Sequence, residues 1–406
     1  MSPPPIIDLD GLGLDRGGHL LLKHGLAQCG PGGRVVVRGR DPALRVHVPA
    51  WCRAHGHRVV DVGAAGAGEA TLCTIECGRA DRDRWTDSVR AGDARAVDST
   101  LRPDDRWGLA ARGALIESGG PTVTFELDDG WAVWADIAPR LYAQAAAAQW
   151  DPATAINWDA PIDTRGDIPE EIEDAVVQIM TYLVENEQAA LVVPARFVGR
   201  IHPYFREVVQ LLAVQIADEA RHIEVFARRA GLHRTTIGVS GAGGRASLAT
   251  LLAEPDFALA SFLLSVLGEG SFLNLLAFLE RNAPDVVTAQ ITRLALQDEA
   301  RHVAFGVAHL ERHVAHEPAL RDRLRAAIER RHAALRDTAG LNVDVFDALV
   351  LLAAGSWDPQ AVGIGFARVQ ALELDMAEGR TRRLVRLGFG SAEAADLSAL
   401  HTRNFM

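Results

Sequence analysis

The pentapeptide Asp-Glu-Ala-Arg-His stands twice in this chain, at Asp218–His222 and at Asp298–His302. Each copy pairs a glutamate with a histidine three residues on, Glu219 with His222 and Glu299 with His302. On a helix, positions i and i+3 share a face about one turn apart, so each pair can offer an oxygen and a nitrogen to one metal ion. Two more glutamates precede them at matched spacing. Glu187 lies 32 residues before Glu219, and Glu269 lies 30 before Glu299. Four carboxylates and two imidazoles from four helices are the donor set of a bundle that holds two iron or manganese ions.

The segments around these residues read as the helices that would position them. Apolar helical runs precede both motifs, Val208–Leu212 and Ile291–Leu294. Glu269 is the only charge between Phe257 and Leu279. A helix apolar all round is a buried one, and a buried carboxylate must be paired or metal-bound. A membrane span is the rival reading of that run. A central glutamate, flanking glycines and the lack of a second such run argue against it, so no membrane association is expected. For the first helix, Glu185 and Glu187 compete. The stripe Met180, Leu183, Val184, Ala190 and Leu191 faces inward; Glu187 falls on it and Glu185 points about half a turn away. Glu187 is the expected ligand, and Glu185 a solvated neighbour.

The two motifs resemble the Asp-Glu-x-Arg-His signature of ferritin-like di-iron carboxylate proteins. That superfamily includes bacterioferritin, rubrerythrin, the radical subunit of ribonucleotide reductase and p-aminobenzoate N-oxygenase. The resemblance spans roughly residues 150–320. It implies Glu187, Glu219, His222, Glu269, Glu299 and His302 as ligands and as the catalytic centre, with Glu219 and Glu299 bridging two metals. It also implies that Asp218 and Asp298 each hold the histidine of the opposite motif, His302 and His222, in line with the habit of ligating imidazoles to donate their second N–H to a carboxylate. Arg221 and Arg301 are expected to make outward salt bridges. Two iron ions are the expected cofactor, Mn/Fe or Mn/Mn the alternatives, with O₂ as co-substrate.

Within that superfamily the residues narrow the chemistry. The radical tyrosine of the reductase subunit lies one turn after the first motif's histidine, where this chain has Phe226; its tyrosines are Tyr142, Tyr182 and Tyr204. The extra histidine of the N-oxygenase group is also missing, since Ala295 stands one turn before Glu299. Storage ferritins are bare bundles far shorter than 406 residues. An oxidase or oxygenase acting on a small, partly hydrophobic molecule is the expectation, supplied with electrons by an external donor or by the substrate. A non-catalytic metal-binding scaffold or iron-handling protein is the alternative. His309 and His313 follow His302 at helical spacing, but no matching carboxylate accompanies them, so they are read as core or surface histidines.

Composition sets outer bounds. A formal charge of -11 with no basic cluster argues against nucleic acid as a partner. The first ten residues contain no basic stretch and no apolar stretch of signal-peptide type, so a cytoplasmic protein is expected. Cys29, Cys52, Cys73 and Cys77 match no zinc-site spacing and read as reduced structural thiols.

The chain reads as three regions. Residues 1–80 read as strand, helix, strand, helix, strand, strand, with strands at 6–10, 34–38, 58–62 and 70–76 and helices at 17–28 and 41–55. The order βαβαββ makes a small two-layer α/β sandwich. It resembles the TusA-type sulfur-carrier fold, including the phrase Arg40-Asp-Pro-Ala43 after the second strand. That family's cysteine, followed by proline at the start of the first helix, is absent: Leu14–Gly18 stands there. A docking or packing role is expected in place of sulfur transfer. Residues 81–150 read as a connecting region in which Thr122–Leu127 and Trp131–Ala135 flank Asp128-Asp129-Gly130 as a hairpin. Residues 151–406 read as an all-α ferritin-like four-helix bundle with extra helices, in a chain expected to form a homodimer. The bundle helices are placed at 168–192, 203–230, 255–281 and 284–315, joined by a flexible crossover at Gly238–Ser247. Further helices are placed at 318–337, 343–354, 359–378 and 391–401, and the apolar end at Leu400–Met406 is expected to be packed.

Overall fold

The structure, a computed structural model, describes residues 3–63, 70–95, 102–160, 168–336 and 343–400. The chain divides into two compact units, residues 1–91 with 113–122, and residues 92–112 with 123–406.

The first unit is built on a four-stranded sheet. Its elements are β1 (Ile6–Asp10), α1 (Gly18–Gln28), β2 (Arg34–Gly39), α2 (Leu44–Ala54), β3 (Arg58–Gly63) and β4 (Thr71–Glu76). The strand order is β1-β2-β4-β3, with β1 parallel to β2 and the other pairs antiparallel. Strand alternation explains the layer. Val35 and Val37 of β2 and Cys73 and Ile75 of β4 face the same side and are buried with Leu22 and Leu26 of α1 and Leu44, Val48 and Cys52 of α2. All four cysteines are free thiols. A short helix, α3 (Ala80–Asp83), and a two-stranded pair, β5 (Val89–Arg90) with β6 (Leu115–Ile116), complete the unit.

The expected hairpin at 122–135 is not formed. Residues Gly130–Val133 are a helical turn, α4, and Asp129 caps it by accepting from the Trp131 N–H at 2.8 Å. Asp-Gly serves equally as a hairpin turn or as a helix start. Here the aspartate side chain satisfies the exposed amide, and the helix wins. Leu127 instead bridges to Ile201 in parallel.

The second unit is helical. α5 (Ala138–Ala147) leads to α6 (Glu170–Val198), α7 (Arg206–Ala230), α8 (Ala242–Leu252) and α9 (Phe257–Ser261). A π-helical stretch, Phe262–Glu269, continues directly into α10 (Gly270–Asn282), followed by α11 (Val286–His316). Local chemistry fixes the starts. Glu170, Glu171 and Glu173 sit in the first turn of α6, where the helix dipole favours anions. Asp256 and Asp285 cap α9 and α11 through the amides of Leu259 and Thr288. The span at Gly238–Ser247 is only partly a loop. Ala242 onward is helical, with Gly243, Gly244, Ser247 and Leu251 buried. Among the described residues one helical stretch, Phe257–Asn282, is long and apolar enough to cross a membrane, but 83% of its most apolar window is buried inside the protein.

α12 (Leu320–Leu335), α13 (Val343–Ala354), α14 (Pro359–Arg386) and α15 (Ser391–Leu400) are the remaining helices among the described residues. α13 packs on α6 and α14, and α14 packs on α10. α14 runs eight residues past the end expected from its sequence, to Arg386. The expectation for the apolar C-terminal end falls on residues outside those described. A buried ion cluster ties three helices together: Arg229 of α7 donates to Glu173 of α6 at 2.7 and 2.8 Å and to Asp285 at the head of α11 at 2.8 Å.

Candidate metal centre

Six side chains from four helical elements converge in the middle of the second unit. α6 supplies Glu187, α7 supplies Glu219 and His222, the last residue of the π stretch is Glu269, and α11 supplies Glu299 and His302. They form two overlapping groups whose donor atoms all lie within 4.8 Å of one another. One is Glu187, Glu219, His222 and Glu299; the other is Glu219, Glu269, Glu299 and His302. Among the described residues these are the two His/Cys/Asp/Glu groups able to hold a metal. Glu219 and Glu299 belong to both. Glu185, by contrast, is partly exposed and outside the cluster.

The atoms aim at shared centres. His222 Nδ1 lies 3.2 Å from Glu219, 3.4 Å from Glu299 and 3.6 Å from Glu187. His302 Nδ1 lies 3.1 Å from Glu219 and 3.4 Å from Glu299. The far ring nitrogens are held from behind. His222 Nε2 donates to Asp298 at 3.2 Å and His302 Nε2 donates to Asp218 at 3.1 Å, so each motif's aspartate orients the other motif's imidazole. In the neutral ring this leaves Nδ1 as a lone pair facing the carboxylates.

Arg221 and Arg301 do not point outward. They bond to Asp218 and Asp298 respectively, and Arg221 also lies 3.6 Å from Asp298. An i,i+3 arginine reaches the aspartate on its own helix face, and neutralising that buried charge outweighs solvation of the guanidinium. The sequence reading missed three more contacts. Gln149 donates to Asp218 at 3.0 Å, the Trp150 indole N–H donates to Asp298 at 2.8 Å, and Gln215 donates to Glu269 at 3.1 Å. Gln215 stands four residues before Glu219 on the same face, a signal that was there to use. Gln149 and Trp150 come just after α5, and nothing local marks them. His309 is a core residue: Nδ1 donates to Ala132 O at 3.2 Å and Nε2 accepts from Ser261 at 2.7 Å.

Burial and charge set the electrostatics. Burial, then repulsion from Glu219 and Glu299, holds the Glu187 carboxyl well above its ordinary range; burial and Glu299 do the same to Glu269. Burial also works to raise Glu219, but the His302 and His222 rings outweigh it and hold that carboxyl low. Both imidazoles are driven well above the ordinary histidine value, because surrounding carboxylates overcome the cost of burial. Without metal the centre therefore keeps protons that two divalent cations would displace.

The donor set fits such a pair. Glu187 Oε1, Glu219 Oε1, Glu269 Oε2, both oxygens of Glu299 and His302 Nδ1 are buried with no hydrogen-bond partner. Orphaned polar atoms of this number are costly unless something binds them. Carboxylate oxygens with one imidazole per centre suit hard divalent first-row ions.

No family model matches the chain, and no curated protein matches it. Among solved structures it is similar to R2-like ligand-binding oxidases. One with an aerobically reconstituted Fe/Fe cofactor is 16% identical at a TM-score of 0.45, covering 61% of this chain and 92% of that one. A variant with an aerobically reconstituted Mn/Fe cofactor is 19% identical at 0.44, covering 62% and 91%. A likeness this remote carries no residue roles across.

Proposed function

We propose that this protein is a non-haem di-metal oxidoreductase that uses O₂ to oxidise a small, partly hydrophobic metabolite within the helical unit. The observation that carries this reading is the pair of overlapping buried clusters sharing Glu219 and Glu299. Iron in both positions suits the oxygen-rich donor set, with manganese in one or both as the alternative. Such a pair, when bound, supplies the activation of O₂.

The chain's own residues do the rest. Asp298 and Asp218 fix the two imidazoles in the tautomer that presents Nδ1 inward, and Gln215 steadies Glu269. Phe226, Phe305, Leu183 and Val266 are buried neighbours in sequence of the six residues and exclude water. Apolar walls of this kind favour a substrate with an apolar body. Electrons come from an external reductant or from the substrate itself. The first unit serves as a TusA-like docking module. Its element order supports this, and its thiols do not support sulfur transfer. No cysteine stands at the head of α1, where the helix dipole would activate a thiol. Burial pushes the Cys52 thiol up to about 12.

A second reading, a metal-binding protein without turnover, is favoured by closure: none of the six side-chain residues is more than 3% exposed. Anaerobic loading with ferrous iron followed by O₂ separates the two. An oxidase shows transient visible absorption and sustained O₂ uptake with a reductant, and Ala190→Phe keeps the metals while blocking substrate. Retained iron with no O₂ uptake rejects the enzyme.

A further inference from the structure

In α14, Arg380 is buried and Arg383 half-buried, and among the described residues neither is ion-paired to a carboxylate. Arg380 is 7% exposed and donates to Ser271 Oγ at 3.1 Å; Arg383 donates from Nε to the Val266 carbonyl at 2.7 Å. Among the described residues neither has an acidic group within ion-pair distance. Arg380 Nε and Arg383 Nη2 are buried without a hydrogen-bond partner. Burial draws Arg380 down to about 10, and burial with repulsion from Arg380 draws Arg383 to about 9. Unpaired buried cations are costly, so their placement needs a return elsewhere.

That return lies in what they touch. At the end of the π stretch the Gly270 N–H reaches back five residues to Ser265 O. A chain returning from five-residue to four-residue spacing passes over one carbonyl, leaving it without a backbone donor. The next carbonyl in line is Val266 O, the one Arg383 supplies. Gly270 makes room for this: a Cβ there would stand 2.4 Å from both Cζ and Nε of Arg383. Ser271, held by Arg380, donates its hydroxyl to Leu267 O at 2.8 Å. Both arginines close on the junction directly after Glu269.

We infer that Arg383, backed by Arg380, is a positioning clamp that holds the π turn in register and thereby aims Glu269 at the cluster it shares with Glu219, Glu299 and His302. A slip of one residue to ordinary helical spacing would swing Glu269 by about 100° around the helix axis, off the cluster. The functional consequence rests on the di-metal reading proposed above; the clamp itself is a property of the metal-free chain.

The test uses the full chain and two readouts. In metal-free protein, hydrogen exchange of the amides in 262–272 should be at least about tenfold faster in Arg383→Gln and in Gly270→Ala, which displaces the same guanidinium from the other helix, while exchange in α7 stays unchanged. In anaerobic cobalt(II) titrations, with bands assigned through Glu187→Ala and Glu269→Ala, both variants should weaken the ion beside Glu269 by about 10- to 100-fold and leave the other within about twofold. Arg383→Lys, which keeps a donor, should recover part of the loss. Arg331→Gln, removing another buried arginine, one that donates to Ser247, should show neither effect. Unchanged exchange in both variants overturns the clamp, as does equal weakening of both ions matched by Arg331→Gln. If the wild-type chain takes up no cobalt, the di-metal reading falls and exchange alone decides the clamp.

Discussion

His222 donates to Asp298 at 3.2 Å across 76 residues of sequence, so the aspartate of the second motif holds the histidine of the first. The converse pair, His302 with Asp218, makes the same bond at 3.1 Å. The repeat therefore works as a cross-brace between α7 and α11. Asp298→Asn should lower affinity for the ion beside His222 by about 10- to 100-fold and affect the other ion less. Competitive metal titration of the two aspartate variants checks this. Equal loss at both ions in each variant would count against the crossing as the orienting device.

Glu185 and Glu187 offer a comparison within one helix. Glu187→Ala should cripple one metal position, whereas Glu185→Ala should bind as the wild type does. Metal analysis after loading reads the result. A reversed outcome would move the α6 ligand to Glu185 and leave the other five in place.

The buried cluster around Arg229 should show up as stability. Arg229→Met leaves Glu173 and Asp285 buried without their cation, which should cost about 3–5 kcal/mol. Urea unfolding measures it. A loss under about 1 kcal/mol would mean that the carboxylates find water or protonate cheaply.

His309 gives a pH signature. Burial, opposed by its bond to Ala132 and helped by His313, holds its pKa at about 3 against an ordinary 6.5. Between those values the unfolded chain binds more protons than the folded one, so this contribution is fully present above about pH 6.5 and is lost as pH falls toward 3, by up to about 1.4 kcal/mol per pH unit. Comparing urea midpoints of wild type and His309→Gln from pH 7 to pH 5 isolates it. The wild type should lose stability faster on acidification; parallel curves would contradict the assignment.

Periodicity and residue type made much of this molecule legible. The order of elements in the first unit comes from its alternating strands and the helical runs between them, and the four long helices from their apolar stripes. Glu187, Glu219, His222, Glu269, Glu299 and His302 were singled out by spacing, and the structure brings them together. The π stretch was not legible, because a run apolar on every side carries no phase from which a five-residue spacing could be read. The inward turn of Arg221 and Arg301 is illegible for another reason: the family resemblance marks Asp218 and Asp298 as holders of histidine, and only their burial in the fold makes them charges that need a cation. At Asp129-Gly130 the sequence allows a turn or a helix start, and the bond from the Trp131 N–H to the Asp129 side chain goes with the helix.

The most direct measurement is the iron content of the protein after anaerobic loading and removal of excess metal, in the wild type and in Glu219→Ala. Two irons per chain in the wild type, with most of both lost when the shared carboxylate is removed, is the result expected of two centres joined by Glu219 and Glu299. One iron or none in the wild type, or two retained in Glu219→Ala, would contradict a shared di-metal centre.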